Sequence, residues 1–309
     1  MRISSSSFFF MTLGVVVISL AACGDDEPGG AATSADAGSD APQAQPEAGG
    51  GSDSAAPDAA ATGLGPGPYT VVYAGSTVGI DMRTVAAGKA TFDGVKLTGY
   101  EASEDEHPTA GTNEVKEVSG DAFVAIGRWA GGKTGGKFYE AGTGGLIDLP
   151  ANGGFHYAIG NFADPVPASG QTAYTELAKT AATVSDGSLA AGTISGSLAA
   201  NLTGDATKVG FSITIDIPGD AVYTLATTGG AGDVSTTEAE MLTGGNLKGV
   251  FTANLDVTSA GAACEGTCSG SVYGFVAGAN AERIALVAHV YKGSGGSPKS
   301  VAGALVFKK

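Results

Sequence analysis

The chain has 309 residues, of which 51 are Gly and only 15% are charged, and its formal net charge is −15. It therefore lacks the basic surface that nucleic-acid binding requires, and it offers no electrostatic attraction to anionic lipid headgroups. Three Cys and three His leave little material for zinc or iron–sulfur sites, and the Gly residues show no collagen period. Composition and length predict a globular chain of one or two domains.

The first 22 residues have the pattern of a secretory signal peptide. Arg2 precedes an apolar run from Phe8 to Ala22, which is shorter than the roughly 20 residues that a bilayer span needs. The run ends in Leu20-Ala21-Ala22-Cys23, which resembles the lipobox of bacterial lipoproteins. That resemblance implies acylation of Cys23 by at least two chains, which anchor stably, and Gly24 after it favours the outer membrane. An ordinary signal peptide with an incidental Cys is the alternative.

Residues 23–68 have the composition of a disordered tether. Gly24–Pro68 holds eight acidic residues, no Lys or Arg and six of the twelve Pro, and Leu64 is its only large aliphatic residue. Such a segment buries too little apolar surface to offset its ordering entropy, and as a flexible coil it would span about 35–40 Å. A helical Ala-rich stalk is the alternative, which the scattered Gly and Pro disfavour.

Residues 69–150 predict a small β subdomain, which we expect to pack against a larger barrel like a handle. The strand candidates in this region are Tyr69–Tyr73, Val78–Met82, Lys89–Leu97 and Val118–Trp129. In the last candidate, alternate positions from Phe123 to Trp129 share one face.

Residues 151–309 alternate cleanly between apolar and polar positions. In Thr207–Ile217 the odd-numbered positions from Val209 onward are apolar, whereas Lys208 and Asp216 lie on the other face. Strands are predicted near 154–160, 170–177, 192–202, 207–217, 221–228, 246–257, 268–276, 283–292 and 300–307. About eight strands close into a barrel that side chains just fill, and the polar outer face argues against a lipid-facing barrel. We therefore predict an all-β fold with a soluble antiparallel up-and-down β-barrel; Thr236–Leu242 is the one candidate for a short helix.

The C-terminal stretch carries a family resemblance. Cys268–Ala285 and Val301–Lys309 form an aromatic-Gly strand, an Ala-x-Glu turn, a strand and a last Gly-containing strand that ends in basic residues. This resembles the terminal hairpin of the transferrin-binding protein B β-barrel family, although Arg283 and Ile284 stand where the family often has Gly-Gly. The family has two handle-plus-barrel lobes, and this chain has room for one. The resemblance implies a surface lipoprotein fold that holds a protein or nutrient ligand through variable loops, so it assigns no ligand-binding residue.

Cys264 and Cys268 are the only cysteines after the anchor Cys. Outside the cytosol, such a pair is more often a disulfide than a metal site. Two thiolates make an incomplete zinc site, and Asp256 or Glu265 would complete it poorly. We predict a disulfide, with a metal site or free thiols as the alternatives.

Three further patterns are candidates for functional sites. Gly127–Thr134 matches the phosphate-loop pattern, but Gly-rich residues follow where that chemistry needs a helix, so a hairpin turn and no nucleotide binding are predicted. The acidic run Glu101–His107 lacks a calcium-loop pattern and predicts a solvated loop. His156 and His289 lie in predicted strands without visible partners.

No nucleophile motif or metal-protease motif occurs in the chain. We expect a non-catalytic lipoprotein without cofactor or metal, anchored to the outer membrane through Cys23 and exposed on the cell surface, with a periplasmic orientation as the alternative. Its expected partner is an extracellular protein or nutrient ligand, such as an iron carrier, bound by loops and a strand edge. A structural envelope lipoprotein without a dedicated ligand and a secreted hydrolase with an unrecognised site are the other hypotheses.

Overall fold

A computed structural model of the chain describes residues 64–75, 78–139, 146–203, 207–242, 249–259, 261, 264, 266–292 and 299–309. All of them belong to one compact unit, Ser54–Lys309. They form nineteen β-strands, and no helix capable of crossing a membrane occurs among them. The predicted signal peptide, Cys23 and most of the predicted tether lie outside the described residues.

Nine strands build the N-terminal part of the unit. They are β1 (Tyr69–Gly75), β2 (Gly79–Val85), β3 (Ala90–Asp93), β4 (Lys96–Tyr100), β5 (Glu114–Gly120), β6 (Val124–Ala130), β7 (Gly132–Lys133), β8 (Asp148–Leu149) and β9 (Phe155–Gly160). Five of them form an antiparallel sheet in the order β2-β1-β9-β6-β5, while β3 pairs with β4 and β7 pairs with β8. We call this five-stranded arrangement the handle sheet.

Ten strands build the C-terminal part. They are β10 (Ala168–Lys179), β11 (Thr183–Val184), β12 (Thr193–Thr203), β13 (Lys208–Asp216), β14 (Val222–Ala226), β15 (Glu240–Met241), β16 (Val250–Ser259), β17 (Gly266–Ala277), β18 (Arg283–Tyr291) and β19 (Ser300–Lys308). The strands pair antiparallel in the order β10-β12-β13-β15-β16-β17-β18-β19, and β11 pairs with β19. β10 also pairs with β19, which closes an eight-stranded barrel. The short strands β14 and β15 both pair with β13, so together they occupy one strand position of the barrel. The predicted all-β fold with an up-and-down barrel is confirmed.

Apolar side chains fill the barrel interior, as the alternation predicts. On β13, Val209, Phe211, Ile213 and Ile215 are fully buried in one cluster. The alternating apolar positions of β16, β18 and β19 join the same cluster.

The handle sheet buries both of its faces. One face packs beneath the β3–β4 hairpin in a core that includes Tyr73 and Trp129. The other face packs on the outside of β17, β18 and β19 through small apolar side chains such as Ala158 and Ala304. The strands β1, β6 and β9 are buried along their whole length. The sequence of a strand that is buried on both faces is a nearly continuous apolar run rather than an alternation.

Four local predictions differ from the structure. Phe155–Gly160, which was expected in the barrel, is the central strand of the handle sheet, paired with β1 and β6. Val118–Trp129 is two strands rather than one, because Asp121 Oδ1 accepts from the N–H groups of Phe123 and Val124 and turns the chain. Lys89–Leu97 likewise divides into β3 and β4.

The fourth difference concerns Thr236–Leu242, which contains the short strand β15 and no helical turn. Thr237 Oγ1 donates to Val209 O across the barrel wall (2.7 Å) and accepts from Ala239 N–H, so a hydroxyl suited to cap a helix instead fixes a turn.

The folded chain begins before Tyr69. Leu64, which lies within the predicted tether, is only 3% exposed and packs into the core of the handle sheet. Tyr69 Oη donates a hydrogen bond to Gly65 O (3.0 Å), which holds the entering chain against the sheet.

Candidate ligand-binding cleft

A cleft of about 390 Å³ opens on the handle sheet. Its walls come from β2, from the segment between β4 and β5, and from the segment between β7 and β8. The lining residues are Asp81, Arg83, Thr84, Ala102, Ser103, Glu106 and Tyr139. The cleft is large enough for a side chain or a small polar group of a partner molecule.

Glu106 lies at the inner end of the cleft and is only 2% exposed. Its Oε1 accepts hydrogen bonds from the hydroxyls of Tyr73 (3.1 Å) and Tyr100 (3.0 Å), and its Oε2 accepts from Arg83 Nε. A buried carboxylate is tolerated when donors and an opposite charge surround it, and Glu106 has both.

The same burial sets the protonation of its partners. Burial raises the pKa of Tyr73 and of Tyr100, and the neighbouring Glu106 carboxylate raises both further. For Arg83, burial alone would lower the pKa, but the hydrogen bond to Glu106 and the surrounding acidic groups outweigh it and raise the pKa. The two phenols are therefore neutral donors and Arg83 is a permanent cation.

Arg83 is held in one orientation. Nη1 donates to Met82 O (2.7 Å) and lies 2.6 Å from Asp81 Oδ2. The guanidinium carbon lies 6.0 Å from the ring centroid of Tyr73 and 5.7 Å from that of Tyr139. These contacts fix the plane of the guanidinium, whose fork of donors suits a planar acceptor.

One exposed aromatic side chain lines the cleft. Tyr139 is 65% exposed. Tyr and Arg are the residue types enriched at the energetic centres of protein interfaces, because each combines a large contact area with directional hydrogen bonding. The pairing of Arg83 with Tyr139 thus gives the cleft the chemistry of a binding surface.

A second cavity, of about 160 Å³, lies between the handle sheet and the barrel. Its lining is mainly apolar, and Arg283 Nε pairs with Asp121 Oδ2 at 2.7 Å beside it. It offers room for little more than one aliphatic side chain.

The residues singled out in the sequence have varied placements. Cys264 lies in the turn after β16, and Cys268 lies near the start of β17. Both are buried, their Cα atoms are 5.0 Å apart, and their sulfur atoms lie at bonding distance. Cys23 lies outside the described residues. Gly127–Thr134 runs from β6 through a turn at Gly131, whose φ is +79°, into β7. The predicted hairpin is wrong, because β7 pairs with β8 whereas β6 pairs with β5 and β9.

The acidic run Glu101–His107 is only partly a solvated loop. Glu101 pairs with Lys89 (2.7 Å), and Asp105 pairs with Lys137, whose hydrogen bond lowers the pKa of that carboxyl. Glu106 is the buried exception. Within the described ranges, no group of three or more His, Cys, Asp or Glu side chains is arranged to hold a metal ion.

The two strand histidines lie between the handle sheet and the barrel. His156 Nδ1 lies 2.9 Å from Thr180 Oγ1 and Nε2 lies 2.8 Å from Thr183 Oγ1. His289 stacks on Tyr291 with ring centroids 5.1 Å apart, and neither of its ring nitrogens has a hydrogen-bond partner among the described residues. Their burial places both outside the cleft.

Sequence reasoning did not find the cleft. Tyr73, Arg83, Tyr100 and Glu106 are spread over four separate segments, and the acidic run gives no local sign that one of its carboxylates is buried. Arg83 is also the only Arg between the signal region and residue 128, which is a weak signal because three Lys residues lie in the same range.

No family model matches the chain, and no curated protein matches it. Among solved structures, it is similar to the isotype 1 transferrin-binding protein B of serogroup B Neisseria meningitidis, with 11% identity over 78% of this chain and 43% of that chain, at a TM-score of 0.40. It is also similar to a mutant of transferrin-binding protein B from Haemophilus parasuis Hp5, with 11% identity over 78% of this chain and 45% of that chain, at a TM-score of 0.41. The chain spans less than half the length of these structures. These values assign no family, so the fold stands on the chain's own strand topology.

Proposed function

We propose that this chain is a lipid-anchored outer-membrane lipoprotein, exposed on the cell surface, that binds a protein or nutrient ligand such as an iron carrier. The cleft around Arg83 and Tyr139 is the proposed contact site. The observation that carries this proposal is the exposed Tyr139 ring beside an arginine whose orientation is already fixed. A prearranged anchor loses little conformational entropy on binding, so its contacts contribute more fully to affinity.

The filled barrel favours an external ligand site. Phe211, Phe251 and Phe307 are fully buried within the barrel. Eight-stranded barrels hold a ligand only where side chains leave interior space, and here large side chains occupy it. Contacts are therefore proposed at the loops and strand edges of the unit rather than inside the barrel.

The cleft supports binding better than catalysis. Glu106 receives donors from three side chains, and Asp81 accepts from Met82 N–H (2.7 Å) and pairs with Arg83. A general base needs a lone pair directed at the substrate, whereas these carboxylates direct theirs at protein groups. We therefore propose a non-enzymatic protein that needs no cofactor.

The anchor is proposed from Leu20-Ala21-Ala22-Cys23 and from the acidic tether composition. We expect the wild-type chain to incorporate a clickable palmitate analogue and to stay with the membrane fraction, and we expect Cys23→Ala to lose both. Protease treatment of intact cells should cleave the domain if it faces outward. A Cys23→Ala chain that labels and partitions like the wild type would contradict the anchor.

Ligand contact is tested by crosslinking on intact cells. A photo-crosslinking amino acid is incorporated into the chain at position 139 or, as the matched control, at position 222 of the barrel. Val222 is also a large exposed apolar residue, at 55% exposure. We expect adducts from position 139 only, and the protein so identified, once purified, should bind Tyr139→Ala at least tenfold more weakly than wild type. Equal adducts from both positions would favour the structural envelope lipoprotein instead.

A further inference from the structure

The handle sheet has two edges, and an edge strand presents backbone groups that another strand can pair with. At one edge, β5 carries a bulge between Lys116 and Ser119, where Glu117 has a φ of +49°. A bulge of this kind bends the strand and interrupts the regular row of donors and acceptors. The other edge is β2, which pairs only with β1 among the described strands and has a regular register from Gly79 to Val85.

The outward backbone groups at the centre of β2 are taken by side chains of the same strand. Asp81 Oδ1 accepts from Met82 N–H (2.7 Å), and Arg83 Nη1 donates to Met82 O (2.7 Å). Asp81 Oδ2 and Arg83 Nη1 are 2.6 Å apart, which closes the arrangement over the Met82 peptide groups. We call these three residues the Met82 clamp.

The clamp is braced from inside the domain. Arg83 Nε donates to the buried Glu106, and the Tyr73 ring lies beneath the guanidinium. Opening the clamp therefore requires movement of a side chain that is bonded on two sides. Flexible surface ion pairs contribute little, but a charged pair that is held by a buried third partner keeps its geometry.

We propose that the Met82 clamp protects the β2 edge from pairing with a second copy of this chain. Two β2 strands that pair antiparallel about Met82 would place Asp81 of each copy opposite Arg83 of the other, so a second copy matches this edge in charge. The pairing is isologous and would join two handle sheets across a two-fold axis. The clamp keeps the N–H and C=O of Met82 occupied and so excludes the central hydrogen bonds of that pairing.

The test is the oligomeric state of the full-length chain in detergent, measured by sedimentation over a concentration series. The double variant Asp81→Ala/Arg83→Lys frees both Met82 groups and keeps a cation beside Glu106. The variant also loses the two Asp81–Arg83 pairs across the axis, but exposed ion pairs contribute little. We expect its dimer dissociation constant to fall by about tenfold relative to wild type, because two backbone hydrogen bonds become available. The matched control Asp148→Ala/Lys133→Arg changes an exposed ion pair of the same domain and should behave as wild type.

Two additions make the result decisive. Thr84→Pro in the double variant should restore the monomer, because proline at an edge strand blocks pairing. Self-association equal to that of the control, or a dimer that survives Thr84→Pro, would overturn the proposal. If circular dichroism shows the double variant to be unfolded, Arg83→Lys alone removes the bond to Met82 O but keeps the Asp81 bond to Met82 N–H, so we expect the dimer dissociation constant to fall by a smaller factor in the same direction. Ligand binding does not enter this measurement, so its outcome is independent of the proposed function.

Discussion

Glu106 shows how one buried carboxylate can fix neighbours from three strands. It orders Tyr73 on β1, Arg83 on β2 and Tyr100 on β4, and through Arg83 it sets the shape of the cleft. A buried ionic group of this kind contributes less to net stability than to the choice of a single arrangement, but removing one partner is costly.

Glu106→Gln is expected to lower the free energy of unfolding by roughly 2 kcal/mol, because an amide keeps one acceptor but turns a donor toward Arg83 or the tyrosines. Urea denaturation measures the change. The matched control is Glu104→Gln in the same acidic run, whose side chain is exposed and should change stability by less than about 0.5 kcal/mol. Equal stabilities for the two variants would show that the buried network does not hold the cleft.

The sequence predicts which side chains in this region share a face of a strand. It does not predict which side chains from separate segments come into contact. Period-two alternation reports which side chains share a face, and it correctly grouped Ala125 with Trp129 in one core. It cannot report that Tyr157 Oη accepts from Leu97 N–H (3.2 Å) while Trp129 Nε1 donates to Leu97 O (2.7 Å). Those contacts, like the cleft, depend on how separate segments are brought together.

At the scale of elements, the β16–β17 hairpin contains Cys264 and Cys268, the pair predicted to form a disulfide. β16 and β17 pair from Val250–Phe275 to Ser259–Gly266, and Cys264 and Cys268 stand at the closed end of this hairpin. Cys264 N–H donates to Gly261 O (2.9 Å), which tightens the turn and brings the two cysteines together.

We predict that Cys264 and Cys268 form a disulfide in the exported protein. Trypsin should release residues 249–283 as one peptide that takes no iodoacetamide before reduction and two tags after it. The double variant Cys264→Ala/Cys268→Ala should lose about 2 kcal/mol of stability, as expected for closure of so short a loop. Two tags on the native, unreduced protein would refute the disulfide.

The prediction that placed Phe155–Gly160 in the barrel fails because the pairing of this strand is non-local. The barrel strands from β12 onward pair with sequence neighbours, and hairpin alternation located them to within a few residues. β9 instead pairs with β1, about 85 residues earlier, and with β6. Phe155–Gly160 is buried on both faces and does not alternate between apolar and polar positions, so its sequence gives no sign of which sheet it joins.

The whole domain is held together by the layer between the handle sheet and the barrel. This layer is built from small apolar side chains, with the two buried histidines in the same interface region. Thr180 Oγ1 accepts from Ala304 N–H (3.0 Å), so its hydroxyl proton can be donated to Nδ1 of a neutral His156. Burial lowers the pKa of His156 well below its usual range, and Arg128 on the neighbouring strand and His289 lower it further.

Acid should therefore loosen the domain through this layer. Burial lowers the pKa of His289 to about 4, against about 6.5 in an unfolded chain. Between these two values the unfolded state binds more protons than the folded state, so the free energy of unfolding falls as the pH falls from 6.5 toward 4. At pH 4.5 the loss from His289 alone is roughly 2.5 kcal/mol, and His156 changes stability in the same direction.

The prediction is checked by urea denaturation of wild type, His289→Phe and His107→Gln across pH 4–7.5. His289→Phe removes the titrating group and keeps an aromatic ring beside Tyr291, so its stability should depend less steeply on pH. His107 is exposed, and His107→Gln should follow the wild-type slope. Carboxylates that titrate below pH 5 are common to all three chains and cancel in the comparison. His289→Phe could instead retain the full wild-type dependence of the free energy of unfolding on pH between pH 4 and 6.5. In that case the acid sensitivity does not arise at His289, and burying this histidine in its neutral form does not affect stability.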